Sequence, residues 1–449
     1  MWNSRFIGWA GPAAALGLVA FFAGCGDDGA GGSDGGDGGN GGIPLVPSPD
    51  ADECGAPASA TLSEAAVPEG HCAWVFANSL NVPRGIVVDA AGQALVVERG
   101  DITITALYDD DGDRVSDADE RATLVAPSQG LQLNHGIYIH DGFLYASSDT
   151  TVYRWAYSAG TREELGDPET VVHSMPSGGH FTRTLIAREG EDWLYVSIGS
   201  EANVDPDSSR SRIMRYDLSS IPSGGYEWTE GELFADGLRN EVALGFDDGG
   251  RLWGVQNGVD NLFREDLGGD IHNDNPAEEV NLFDEPGRFH GYPYCWTEFA
   301  LPSDVGMGPG TQWVHPEFMD GGEYSDAWCR DPDNVVPPAF ALQAHSAPLD
   351  ILFYDGGGDL AQAFEGDALV SYHGSWNRDP ATGYEVVRLV FEDSTTIERA
   401  DPFLRYDGSG VRDPDEWPHR PVGLAVAGDG ALLVTSDASD TVLAVGATR

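Results

Sequence analysis

The chain has 449 residues, enough for one large domain or two to three ordinary ones, and 41% are apolar, so a sizeable core is available. Its formal net charge is −50, and all 24 basic side chains are arginine. Such a surface repels nucleic-acid phosphates and anionic membranes, which excludes both as charge-bound partners.

At the N-terminus, Arg5 precedes the apolar run "FIGWAGPAAALGLVAFF", which is short and broken by Gly and Pro. It ends in "FAGC", Phe22 to Cys25, and small residues directly before a cysteine resemble a bacterial lipoprotein signal. Residues 1–24 are therefore expected to be a signal peptide, with Cys25 as the lipidated residue of an exported, membrane-anchored protein on the periplasmic or cell-surface side. Lipid would be its only membrane contact. Residues 25–49 carry "GDDGAGGSDGGDGGNGG", where glycine gives flexibility and aspartate self-repulsion, so they read as a tether. Residues 50–449 are assigned to the folded domain.

Besides Cys25 the chain has Cys54, Cys72, Cys295 and Cys329, an even number in an exported chain. Their spacings are not those of paired zinc ligands. Of the possible connectivities, proximity favours Cys54–Cys72 and Cys295–Cys329. Trp296 and Trp328 stand beside two of them, for packing around the disulfide or for stacking a sugar.

From residue 85 onward one phrase recurs: an apolar strand, a turn rich in Asp and Gly, and a second apolar strand. Its instances are "GIVVDAAGQALVVER", "GIYIHDGFLYASS", "TLIAREGEDWLYVSIG", "VALGFDDGGRLWGVQNG", "LDILFYDGGGDLAQAFEGDALVSYHG" and "VGLAVAGDGALLVTSD", with starts 51, 48, 58, 107 and 73 residues apart. Strand pairs at this period predict an all-β, six-bladed β-propeller of four-stranded blades. The step of 107 equals two periods, yet no phrase is visible near "FHGYPYCWTEF" to fill it. Two β-sandwiches are the structural alternative, but they would not repeat one phrase so regularly.

In a propeller the residues just before each innermost strand lie at one mouth. That phase holds Arg84, His135, His180, Arg239 with Asn240, His345 and Arg420. Each alone reads as an ordinary structural residue; together they predict a basic pocket for an anionic ligand. A tri-histidine metal site is the competing reading, which the interleaved arginines disfavour. Separately, "DDDGDRVSDADE" places Asp109, Asp111, Asp113, Asp117 and Glu120 at positions 1, 3, 5, 9 and 12 of a Ca²⁺ loop. Position 7 would offer the Val115 carbonyl, while position 6 is Arg114 instead of glycine.

The segments "GGHFTRTLIA…LYVSIGS", "GLRNEVALGF…QNG", "YHGSWNRDPATGYEVVRLVF" and "HRPVGLAV…GALLVTSD" resemble the soluble glucose/sorbosone dehydrogenases, six-bladed propellers that use pyrroloquinoline quinone (PQQ), with the sorbosone-type branch the nearer. "GLRN" and "HGSWNR" are the most specific pieces. The resemblance implies oxidation of a sugar or related aldehyde by hydride transfer to PQQ, with an external electron acceptor. It implies His180 as catalytic base and Arg239 as the group that polarises the quinone oxygen. It places Asn134, His135, Asn240, Asn257, His373, Arg378 and Arg420 as cofactor contacts, and the carbonyls of Gly258 and Val259 as ligands of the cofactor's Ca²⁺. Two departures stand out: Gly179 replaces an acidic residue before the base, and the family's cofactor-binding lysine is missing, so His373 or Arg378 would have to substitute. The alternatives are a binding module that has lost the cofactor and a Ca²⁺-dependent lactonase-type hydrolase.

Overall fold

The computed structural model describes residues 43–449 except Ser208 and Ala361. The expected signal peptide, Cys25 and most of the expected tether lie outside the described residues. Leu45–Pro47, inside the segment assigned to the tether, is already a strand paired with Ala65–Pro68.

Six sheets, each built on four antiparallel strands, form the body. Blade 1 holds strands Pro83–Val88, Ala94–Glu98, Thr103–Leu107 and Arg121–Val125; blade 2 holds Ile137–His140, Phe143–Ser147, Val152–Ala156 and Glu169–His173. Blade 3 holds Leu185–Ala187, Trp193–Ile198, Arg212–Asp217 and Glu232–Asp236; blade 4 holds Glu241–Phe246, Leu252–Gln256, Glu278–Phe283 and Phe340–Leu342. Blade 5 holds Pro348–Phe353, Ala368–Tyr372, Glu385–Phe391 and Ile397–Tyr406, and is widened by Ala65–Pro68 and Leu45–Pro47. In blade 6 the early strand His71–Ala77 pairs with Thr441–Ala447 beside Leu432–Ser436 and Pro421–Val426. A strand from each end of the body therefore closes the last blade.

The first strands of the six blades pack against one another in a closed cycle. Each second strand is covered on both faces by neighbouring blades, so "ALVVE", "LWGVQ", "ALVSY" and "LLVTS" are buried along their whole length rather than alternating. The turns between them are held by aspartate: Asp89 Oδ1 accepts the N–H groups of Ala91 and Gln93, around Gly92 at φ +86°. Hydroxyls stitch adjacent blades: Ser147 Oγ donates to the Arg183 carbonyl at 2.8 Å and Thr435 Oγ1 to the Arg84 carbonyl at 2.6 Å. These bonds fix the backbone where the mouth residues begin.

The six phrases are the six inner strand pairs, and the long step hides no seventh blade. Residues 257–277 and 284–339 are excursions from blade 4 that carry the short helix Asp326–Cys329 and one disulfide. Cysteine pairing is Cys54–Cys72 and Cys295–Cys329, as proximity predicts. Trp296 is buried against Trp313, and Trp328 packs edge-on to Tyr324, so both tryptophans serve packing.

Candidate active site

Inner and second strands run antiparallel, so the residue leading into the first and the residue leaving the second meet at the same mouth. The lead-in residues therefore face a second set in register with one another: Arg99, Ser148, Gly199, Asn257, His373 and Asp437.

His180 precedes blade 3, and its Nδ1 lies 3.0 Å from both the carbonyl oxygen and the Oγ of Ser200. A carbonyl only accepts, so Nδ1 carries the proton and Nε2 keeps its lone pair. Burial pushes the imidazole down to about 4; the charges of Arg239, Arg210 and Arg183 act the same way, against the Ser200 carbonyl that pulls it up. The ring is neutral at ordinary pH. Two buried arginines clamp its loop: Arg183 donates to the carbonyls of Pro176, His180 and Thr182, and Arg210 to those of Ser177, Gly178 and Gly199. Gly179 is obligatory here. At φ +58°, a Cβ would stand 2.4 Å from Glu201 Cα, so no acidic side chain fits before this base. Gly199 is equally constrained, because a Cβ there would lie 2.6 Å from His180 Cβ and 2.4 Å from Asn240 Oδ1.

Arg239 leads into blade 4 and is buried. Its guanidinium donates to the Asn203 carbonyl (3.2 Å), the Asn257 carbonyl (3.2 Å), Asn203 Oδ1 (2.9 Å) and Asp260 (2.9 Å). Its carbonyl accepts the Ser200 N–H, so base and arginine share one backbone link. Asn240 Nδ2 donates to Asn257 Oδ1 at 3.1 Å, and Asn257 Nδ2 to the Pro348 carbonyl at 2.8 Å. Gly258 follows; its N–H is held by Glu278, and a Cβ would stand 2.7 Å from Pro276 Cγ. Val259 is buried beside it.

Across the mouth, Asp437 takes Arg84 Nη1 at 2.6 Å and His373 Nε2 at 2.8 Å. Arg420 donates to the carbonyls of His373 and Gly374. The expected open cationic ring is therefore corrected: Arg84 is neutralised by Asp437 and Arg239 by Asp260, while His345 Nε2 faces the carbonyls of His272 and Asn275. Burying the arginine charges of one mouth without counter-ions would be costly, and the two aspartates offset that cost for Arg84 and Arg239. Neither proposed stand-in for the missing lysine is free. His373 is tied to Asp437, and Arg378 to Asp274 and the Asn273 carbonyl.

Among the described residues, several buried polar atoms around this mouth have no partner: Arg84 Nε, Asn134 Oδ1, His135 Nδ1, Asn377 Nδ2 and Arg378 Nε. Native interiors rarely leave such groups unmet, and three of the five are N–H donors, so a polar anion such as PQQ fits this set.

The acidic loop only partly matches its expectation. Carboxylate oxygens of Asp109, Asp111 and Glu120 lie within 4.8 Å of one another; Asp113 and Asp117 fall outside the group. Asp113 instead caps the Val115 N–H. Arg114 adopts the left-handed φ of +69° that glycine supplies at this position elsewhere. Its buried guanidinium pairs with Asp359 and Asp429, donates to the Cys54 carbonyl and lies 4.4 Å from the centre of the Trp74 ring.

Sequence reasoning missed Ser200, Asp260 and Asp437. The strand-exit register could have found Asp437, which stands one residue past "LLVTS" as Asn257 stands past "LWGVQ".

The chain is similar to several known proteins. The pyrroloquinoline quinone-dependent pyranose dehydrogenase of Coprinopsis cinerea is 31% identical over 406 residues, 82% of this chain and 52% of that protein. The chain thus spans about half of that relative's length. The pyrroloquinoline quinone-dependent sugar dehydrogenase of Hypocrea jecorina is 32% identical over 395 residues, 82% of this chain and 86% of that protein. The calcium structure of a Trichoderma reesei family AA12 enzyme superposes with a TM-score of 0.75 at 30% identity, covering 86% of this chain and 97% of that structure. A family model described as TrAA12-like matches residues 65–448, and the chain belongs to that family.

Proposed function

We propose that this protein oxidises a sugar or related aldehyde with PQQ and Ca²⁺ and passes the electrons to an external acceptor. The observation that carries this is the neutral His180, its Nε2 lone pair free, sharing a mouth with the anchored Arg239 in a TrAA12-like chain. PQQ, when bound, supplies the two-electron acceptor. Asn240, Asn257, Arg420 and the unpartnered donors of Arg84 and Arg378 would hold it, and the carbonyls of Gly258 and Val259 are the hard oxygen donors that Ca²⁺ prefers. His180 Nε2 takes the proton from the hydroxyl of the carbon being oxidised. Arg239 holds a fixed positive charge where negative charge develops, and its contacts leave no reorganisation for the moment of reaction. A lactonase-type reading needs free carboxylates at the mouth, whereas Asp260 and Asp437 are engaged with arginines.

Reconstituting the apo-protein with PQQ and Ca²⁺ and following dye reduction over a sugar panel tests this. Turnover with one or more sugars is expected, lost in His180→Ala. Failure to bind PQQ overturns the reading, and full turnover in His180→Ala overturns the base.

Two further assignments belong to the same reading. The Asp109, Asp111 and Glu120 oxygens form a structural Ca²⁺ site. Cys25 carries a lipid anchor that holds the enzyme outside the cytoplasm; palmitate labelling should reach the wild type and be lost in Cys25→Ala.

A further inference from the structure

Arg99 stands apart from the other arginines of the mouth. It leaves the second strand of blade 1 in the same register as Asn257, His373 and Asp437. Its guanidinium reaches past the lead-in of blade 2 and lies 4.3 Å from the centre of the Phe181 ring, next to the base His180. The side chain is exposed, and among the described residues it makes no ion pair and no hydrogen bond. The two nearest acids in sequence are engaged elsewhere: Glu98 is buried and accepts from the Asn81 N–H and the Thr105 hydroxyl, and Asp101 accepts from the Asn81 side chain. The charge of Arg99 is felt by Arg84 and His135, which places all three around one sector. That sector also contains the unpartnered atoms Arg84 Nε, Asn134 Oδ1 and His135 Nδ1, on side chains that are each less than a tenth exposed.

A free guanidinium parked on an aromatic face is preorganised for a planar anion, because the ring holds it without using any of its N–H groups. In a chain of net charge −50 with aspartates paired to Arg84 and Arg239, an arginine left open beside the base serves an incoming negative group. We propose that Arg99 binds a carboxylate at the mouth, carried either by an acidic sugar or by the quinone cofactor. The proposal rests on the dehydrogenase reading above and extends it to the class of ligand recognised.

Arg99→Gln keeps length and polarity at an exposed turn and is expected to leave thermal unfolding unchanged. Three quantities are compared between wild type and variant: PQQ affinity of the apo-protein by fluorescence titration, KM for glucose, and KM for glucuronate. A sugar carboxylate predicts a rise of about tenfold in the glucuronate KM, with glucose KM and PQQ affinity unmoved. A cofactor carboxylate predicts PQQ affinity weaker by about tenfold, with both KM values unmoved at saturating PQQ. No change in any of the three overturns the proposal. If the wild type itself binds no PQQ, the dehydrogenase reading falls alone. Calorimetry of glucuronate binding to the apo-protein then decides for Arg99, and equal affinity in wild type and Arg99→Gln overturns it.

Discussion

His180 Nδ1 lies 3.0 Å from the Ser200 carbonyl oxygen, so the proposed base is oriented by the backbone of the neighbouring strand exit rather than by an acidic side chain. Ser200 Oγ sits at the same distance while donating to the Ala202 carbonyl. A carbonyl cannot be protonated away, so the tautomer holds over a wide pH range.

The first prediction follows from that environment. His180 titrates at about 4 instead of near 6.5, because burial and three nearby arginines disfavour its charged form. Above about 4 it is neutral and can accept a proton; below, it is blocked. The kcat/KM profile should therefore hold down to about pH 4 and then fall, with no acid limb near 6.5. The same shift acts on stability. Between 6.5 and about 4 the unfolded chain binds the proton that the folded one refuses, so this group's contribution is complete above 6.5 and is lost as pH falls through 4. An acid limb at 6.5 would contradict the assignment.

Reinstating an acidic residue before the base should harm the protein. Gly179→Asp demands a side chain at φ +58° with its Cβ 2.4 Å from Glu201 Cα. Left-handed strain costs about 1–2 kcal/mol and the backbone clash adds more, so a loss above about 2 kcal/mol in denaturant unfolding is expected. Turnover should fall too, since the displaced loop is the one that aims His180.

The inner strand pairs were legible because buried strands in a fixed rhythm leave an apolar signature in one dimension. The blade count, the phase of His180 and Arg239, and both disulfides followed from local patterns. The charge balance of the mouth did not. Arg84 and Asp437 are 353 positions apart, and only ring closure by the His71–Ala77 strand brings blade 1 against blade 6. The step of 107 was misleading for the opposite reason: an excursion from one blade has the length of a repeat without its pattern. Gly179 looked like a missing catalytic helper, while its reason is steric and becomes visible only when Glu201 is beside it.

Arg239→Lys is expected to lower kcat/KM by about 10²-fold or more, the scale of removing a preorganised electrostatic donor. An ammonium group can meet Asp260 but cannot also hold the carbonyls of Asn203 and Asn257, so charge is retained while its position is lost. Steady-state kinetics should show the loss mainly in kcat, with the fold intact by circular dichroism. An unchanged kcat would remove Arg239 from the chemistry.

The acidic loop gives the last prediction, because its Ca²⁺ and its arginine are separable. If Asp109, Asp111 and Glu120 hold Ca²⁺, a concentration a hundredfold above Kd stabilises the fold by about 2.7 kcal/mol, and chelation should lower Tm correspondingly. Asp109→Ala should abolish that Ca²⁺ dependence. Arg114→Gly tests the other half. Glycine relieves about 1 kcal/mol of left-handed strain at φ +69°. It also leaves Asp359 and Asp429 without their shared cation and uncovers Trp74, at a cost of about 3 kcal/mol. The variant should therefore be less stable than wild type by about 2 kcal/mol while keeping its Ca²⁺ response. A more stable Arg114→Gly would mean that the arginine is a defect in the loop rather than the anchor that fastens it to the closing blade.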